Sequence, residues 1–175
     1  MLKINNLVRI SLFLIILFVF GCSNNNKYDI NLSGSWNQYI ESSHVMNDIK
    51  FNDGIYEYYF WKDIVYIGIY STKENQLTIK INKIFGSSFS QIYNIYPSLE
   101  EKWYLEDELK DILINVYNYN ENQYNNKFEE LFNEVIMNYS IIEDKLTLTS
   151  VIKDYYSDGS SAIMEEVYNR LKDDI

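Results

Sequence analysis

One cysteine, one proline and one histidine occur in 175 residues, and there are only six glycines. Each scarcity removes a class of protein. A single thiol, Cys22, forbids a disulfide within the chain, so the fold must be held by side-chain packing. A single histidine, His44, forbids a two-histidine metal site. Cations are short as well: 15 Lys and Arg stand against 25 Asp and Glu, a net charge of −10. That balance argues against nucleic acid as a partner, since phosphate binding needs basic patches. No glycine-rich phosphate loop is present. The helix first turns and turn loops that carry the acids give no calcium loop: Asn52-Asp53-Gly54 is too short for one, and Ser157–Ser161 is equally weak.

The cysteine sits at a seam, in the stretch LFVFGCSNNNKYD. Met1–Arg9 carries Lys3 and Arg9 and no acid. Ile10–Phe20 is apolar except for Ser11. That run is shorter than the ~20 residues a bilayer-spanning helix needs, and it has the length of a signal-peptide core. The junction Val19-Phe20-Gly21-Cys22 resembles the lipobox of bacterial lipoprotein signal peptides, from which Phe20 is the departure. The resemblance implies diacylglyceryl transfer to Cys22, cleavage after Gly21 and acylation of the new amino terminus with a fatty acid such as palmitate. Two or more acyl chains hold a protein on a membrane stably, at about 0.8 kcal/mol per buried methylene. Residues 1–21 are therefore expected as a signal peptide and 22–31 as a lipidated tether, its SNNNK segment free of apolar residues. Loss of Lys3 and Arg9 makes the remaining chain more acidic still. Attachment would then rest on the lipid, with the body in a bacterial cell envelope, on an outer membrane or cell surface rather than the inner membrane.

What the chain has in quantity is tyrosine, 17 residues of it. Tyrosine, isoleucine and phenylalanine favour strands. Leu32–Ile40 reads as a first strand. Ile49 and Phe51 alternate with polar residues up to the hairpin signal Asp53-Gly54. Ile55–Trp61, Ile64–Thr72 and the alternating QLTIKINKIFG then follow at even spacing, the pattern of a sandwich or barrel. Tyr139–Ile142, Leu146–Thr149 and Val151–Tyr156 return to strand character; SAIMEEVYNRLK is ambiguous between helix and strand and is assigned as a closing strand because closure removes an exposed edge.

Between these strands the period changes. Ser98 and Glu101 form a capping-box pattern, and Leu99, Trp103, Leu109, Ile112, Leu113, Val116 and Tyr117 recur at helical spacing. Tyr124, Phe128, Leu131, Phe132, Val135 and Ile136 make a second stripe. The expectation is a helical hairpin inserted at about 97–138, its stripes facing the core.

The Gly34-Ser35-Trp36 opening, the Gly68-Ile69-Tyr70 element, Leu77-Thr78-Ile79 and Leu146-Thr147-Leu148, in that order, resemble the bacterial lipocalin-like (calycin-type) lipoproteins. The resemblance covers about 32–85 and 139–171 and implies a mainly β fold, an up-and-down barrel over 32–175, with the helical hairpin as a departure from the family pattern. It also implies that Trp36 packs low in the barrel against an arginine near the end of the last strand. Arg170, the one arginine outside the leader, stands there.

Chemistry is sparse. Ser42, Ser43 and His44 are neighbours in sequence, but a catalytic triad also needs an orienting acid, and nothing points to one. Glu100, Glu101, Glu106, Asp107, Glu108 and Asp111 read as a solvated face near a helix start. No enzyme, cofactor or metal is expected. Two function classes remain. One is a tethered barrel holding a small hydrophobic or amphiphilic ligand, with Tyr56, Tyr58, Phe60 and Tyr70 as candidate ligand-facing residues. The alternative is a non-catalytic envelope structural or interaction protein whose barrel is filled by its own side chains.

Overall fold

A computed structural model describes residues 28–40, 45–152 and 160–172. The leader, Cys22, residues Ser42 to His44 and Ser157 to Gly159 lie outside the described residues. The chain order is β1 (Gly34–Ile40), β2 (Val45–Asn52), β3 (Ile55–Phe60), β4 (Asp63–Lys73), β5 (Gln76–Phe85), α1 (Gly86–Tyr93), β6 (Trp103–Tyr104), α2 (Glu106–Asn115), α3 (Glu121–Phe128), β7 (Glu134–Ile142), β8 (Lys145–Ile152) and β9 (Ala162–Arg170). Short 3-10 turns precede β1 at Ile30–Leu32 and follow α3 at Glu129–Phe132.

Every neighbouring pair is antiparallel, and β9 returns to β1, so eight strands close into an up-and-down barrel. The ninth, β6, only extends β5 at Ile84 and Phe85. Register follows the alternation of the sequence. Trp36 lies opposite Ile49, Phe51 opposite Tyr56, and Leu146 opposite Tyr168, all facing inward. The turns fall where the backbone can reverse tightly. Asp53 and Gly54 both have positive φ, as a two-residue hairpin of this hand requires. At the other end of β3, Trp61 and Lys62 adopt the same left-handed conformation without a glycine or asparagine to ease it.

The two apolar stripes do form a helical insert, but its bounds differ from the expectation. It begins at Gly86, and α1 carries no side-chain N-cap. The chain from Asn94, a left-handed C-cap, through the cis Tyr96–Pro97 bond to Glu101 is not helical, so Ser98 caps nothing. Helix α2 starts instead at Glu106, after Leu105 as its N-cap, with Glu106, Asp107 and Glu108 in its first turn, where negative charge suits the helix dipole. Glu100 and Glu101 precede it. Helix α3 is opened by a reciprocal cap, Asn120 and Gln123 each accepting from the other's backbone N–H. The second stripe ends at Phe132; Val135 and Ile136 belong to β7, paired with Ile79 and Thr78 of the barrel.

Two cores result. One fills the barrel between Trp36, Ile49, Phe51, Leu77, Leu146 and Leu148. The other lies between the insert and the ends of β4 and β5, where Val65 and Ile84 meet Phe89, Leu109, Leu113 and Phe128. Tyr58 packs against both.

Candidate functional site

The barrel has two unlike ends. At the closed end residues 28–33, which lead into β1, are folded against the wall. Tyr28 meets the Tyr70 ring at 5.2 Å, the Asp29 N–H donates to Thr72 Oγ1 at 2.7 Å, and Leu32 is fully buried. Trp36 is fully buried, and its Nε1–H donates to the Leu32 carbonyl at 2.9 Å. The guanidinium carbon of Arg170 stands 4.1 Å from the Trp36 ring centroid. Arg170 also donates from Nη1 to the Ser33 carbonyl (2.9 Å) and from Nη2 to the Asn31 carbonyl (2.7 Å). A planar fork over an indole, with two carbonyls satisfied at once, is a geometry that lysine cannot copy. Gly34 is the residue that lets it close: its φ is +122°, and a Cβ there would come 3.2 Å from Arg170 Nη1. A polar cleft at this end, lined by Asp29, Glu74, Glu143 and Arg170 among others, has its one guanidinium already committed to those carbonyls.

The opposite end carries the helical insert on the β3–β5 side. On the other side the wall parts: β1 and β9 are paired only at Trp36–Arg170 and Asn37–Asn169, so the upper halves of both strands run without each other. Side chains that register places on the inner face stay open to solvent here. Met164 is 46% exposed and Val135 43%, against 0% for Leu77 and Leu146 deeper on the same faces. The inner face also turns polar. Tyr58 Oη donates to Asn47 Oδ1 (3.1 Å), Asn47 Nδ2 to Gln38 Oε1 (3.4 Å), and Tyr168 Oη to Glu166 Oε2 (3.2 Å).

Tyr56, Tyr58 and Phe60 occupy the inner face of β3 and are half-buried; Tyr70, toward the closed end, is buried in the barrel core. Glu57 and Tyr59 lie on the outer face, hydrogen-bonded to each other at 2.8 Å. Burial raises the Tyr58 phenol to about 12, with the Glu166 carboxylate adding to the effect. Burial also pushes up Tyr56, reinforced by Tyr58 and then Glu166, and Tyr168, reinforced by Glu166 and Tyr56. These four side chains are therefore within electrostatic reach of one another. Burial and its bond to the Tyr93 hydroxyl, 3.1 Å away, raise Tyr66, which ties the barrel wall to α1.

Glu166 escaped the reading of the sequence, although a signal was there. Once SAIMEEVYNRLK is a strand and Arg170 faces inward, Tyr168, Glu166 and Met164 share its side by the two-residue period. Among the described residues no group of three His, Cys, Asp or Glu is placed to hold a metal, and no helix is long and apolar enough to cross a membrane. Comparison of the chain with protein families, with curated proteins and with solved structures found no match.

Proposed function

We propose that this is a lipid-anchored envelope protein of the lipocalin-like kind, whose barrel takes a small amphiphilic ligand at its open end. The observation that carries the binding reading is the contrast along one inner face. Leu77, Leu146 and Trp36 are sealed, while Met164 and Val135 face the same interior and remain wet. An apolar wall with a few polar groups at its rim suits a ligand with an apolar body and a polar end. Tyrosines supply both characters in one side chain. The reading is non-catalytic: the inner-face polar groups described above are hydrogen-bonding side chains and the Glu166 carboxylate.

Anchoring rests on the sequence alone, on the Val19-Phe20-Gly21-Cys22 junction after an apolar run. Cys22→Ser should move the protein from the membrane fraction to the soluble fraction; full retention in membranes rejects the anchor. Ligand binding is tested by native mass spectrometry of the protein purified from its own host. A retained small apolar or amphiphilic mass supports the binding module. A bare protein under the mildest conditions, with no uptake of added amphiphiles, supports the alternative of a barrel serving only as a structural or interaction domain.

A further inference from the structure

The polar end of the ligand can be named by charge. Glu166 lies on the inner face of β9, placed there by its register with Leu148, which is buried in the barrel core. Evolutionary economy does not require it: Leu, Met or Tyr would pack there without the cost of holding a charge beside apolar walls. Carboxylates in such places are ordinarily paired. Here, among the described residues, no lysine or arginine forms an ion pair with Glu166; the ion pairs present involve Glu100, Glu121 and Asp144. Its donor is a neutral phenol, Tyr168, at 3.2 Å, itself buried in the barrel core. The other groups within its reach are also phenols, Tyr56 and Tyr58.

We infer that Glu166, on the inner face between the buried Tyr168 and the open end and within reach of Tyr56 and Tyr58, is a recognition site for an organic ammonium group on an apolar body. The inference rests on the binding reading above and names the chemical class of the ligand. A carboxylate supplies the countercharge. Tyrosine faces attract a cation through their ring quadrupoles, and more strongly when water is thinned out. The phenols stay neutral over the whole ordinary range because burial holds their protons, so they add no negative charge that would draw in a metal ion instead. An anionic ligand, such as a fatty acid, would meet a like charge at this point and is disfavoured by the same geometry.

The test uses the full chain and three water-soluble aromatic probes of similar size: benzyltrimethylammonium, benzyl alcohol and phenylacetate, followed by isothermal titration calorimetry. The cation should bind more tightly than the neutral alcohol by about tenfold or more, as an ion pair with added cation–π attraction would give, and phenylacetate should bind most weakly. Glu166→Gln, which keeps the shape, should lower the affinity for the cation to that of benzyl alcohol measured in the same variant. Tyr168→Phe should weaken the cation only slightly, since it keeps the ring. Equal binding of the three probes, or a cation preference that survives in Glu166→Gln, overturns the ammonium site while leaving a binding barrel in place. No binding of any probe, together with a bare protein in native mass spectrometry, overturns the binding reading itself and this inference with it.

Discussion

The closed end and the open end of this barrel are made from the same residue types and do opposite things with them. At the closed end the central aromatic and the guanidinium are committed. The Trp36 indole is covered by Arg170, its N–H is given to Leu32, and the guanidinium is divided between two carbonyls and the indole face. At the open end the hydroxyls bond mostly to one another's neighbours in a loose belt, and inner-face side chains keep solvent contact. The lesson is about what tyrosine is for. Capped by packing, as at Tyr70, it is core. Left half-covered beside a carboxylate, as at Tyr58, it is a surface that a ligand can use.

The comparison breaks most visibly at Trp36. Trp36→Ala should cost about 3–5 kcal/mol, the range for a large buried aromatic, and chemical denaturation should show it as a large fall in midpoint. Leu109→Ala, which opens a hole between the insert and the barrel, should cost about 2–5 kcal/mol. The same change should accelerate amide exchange in α1 to α3 more than in β8, because the insert has its own core. Arg170→Ala should cost less than Trp36→Ala, and the double variant should be less destabilised than the sum, with a coupling of about 0.5–2 kcal/mol from the cation–π contact. Strict additivity would deny that the two side chains act together.

Alkali probes the same contrast without mutation. The Tyr58 phenol is held at about 12 against an ordinary value of 10.0. Tyr139, buried and hydrogen-bonded to Asp29, and Tyr124, buried beside Glu106, also lie at about 12. The unfolded chain releases these protons first, so the stability they contribute is complete below about pH 10 and is lost as pH rises toward 12 and beyond. Tyrosinate absorbance should therefore lag behind that of the denatured protein and rise together with unfolding. The smallest effect belongs to the turn at the open end. Lys62→Gly relieves a left-handed residue whose φ is 71° and should stabilise by up to about 1 kcal/mol, with no effect on the closed end.

The strands were legible from their alternation: in QLTIKINKIF the structure keeps Leu77, Ile79 and Ile81 on one face, up to a register shift at Asn82 after which Ile84 is the buried residue. The ambiguous last segment was settled by the need to close an edge, and it does close it. The insert was legible as helical but not in its bounds. Ser98 and Glu101 form a capping pattern in a chain that does not turn helical there, while α1 starts at Gly86 with no side-chain cap to announce it. Val135 and Ile136 continue a helical stripe by spacing alone, and the pairing of β7 with β5 overrides it. Glu166 was hidden for a different reason: one acid in a segment that also contains Glu165 shows nothing until register decides which of the two faces inward.

The claim that the open end is a working interior, rather than a loosely packed copy of the closed one, is tested most directly by filling it. Met164→Trp places a large ring on the inner face beside Glu166, at a position 46% exposed in the native protein. Stability and ligand retention should then separate. The variant should unfold within about 1 kcal/mol of the native protein, as a substitution into open space does. It should also lose the small mass that a binding barrel is expected to retain in native mass spectrometry. Retention of that mass at full occupancy in a stably folded Met164→Trp protein would contradict the account.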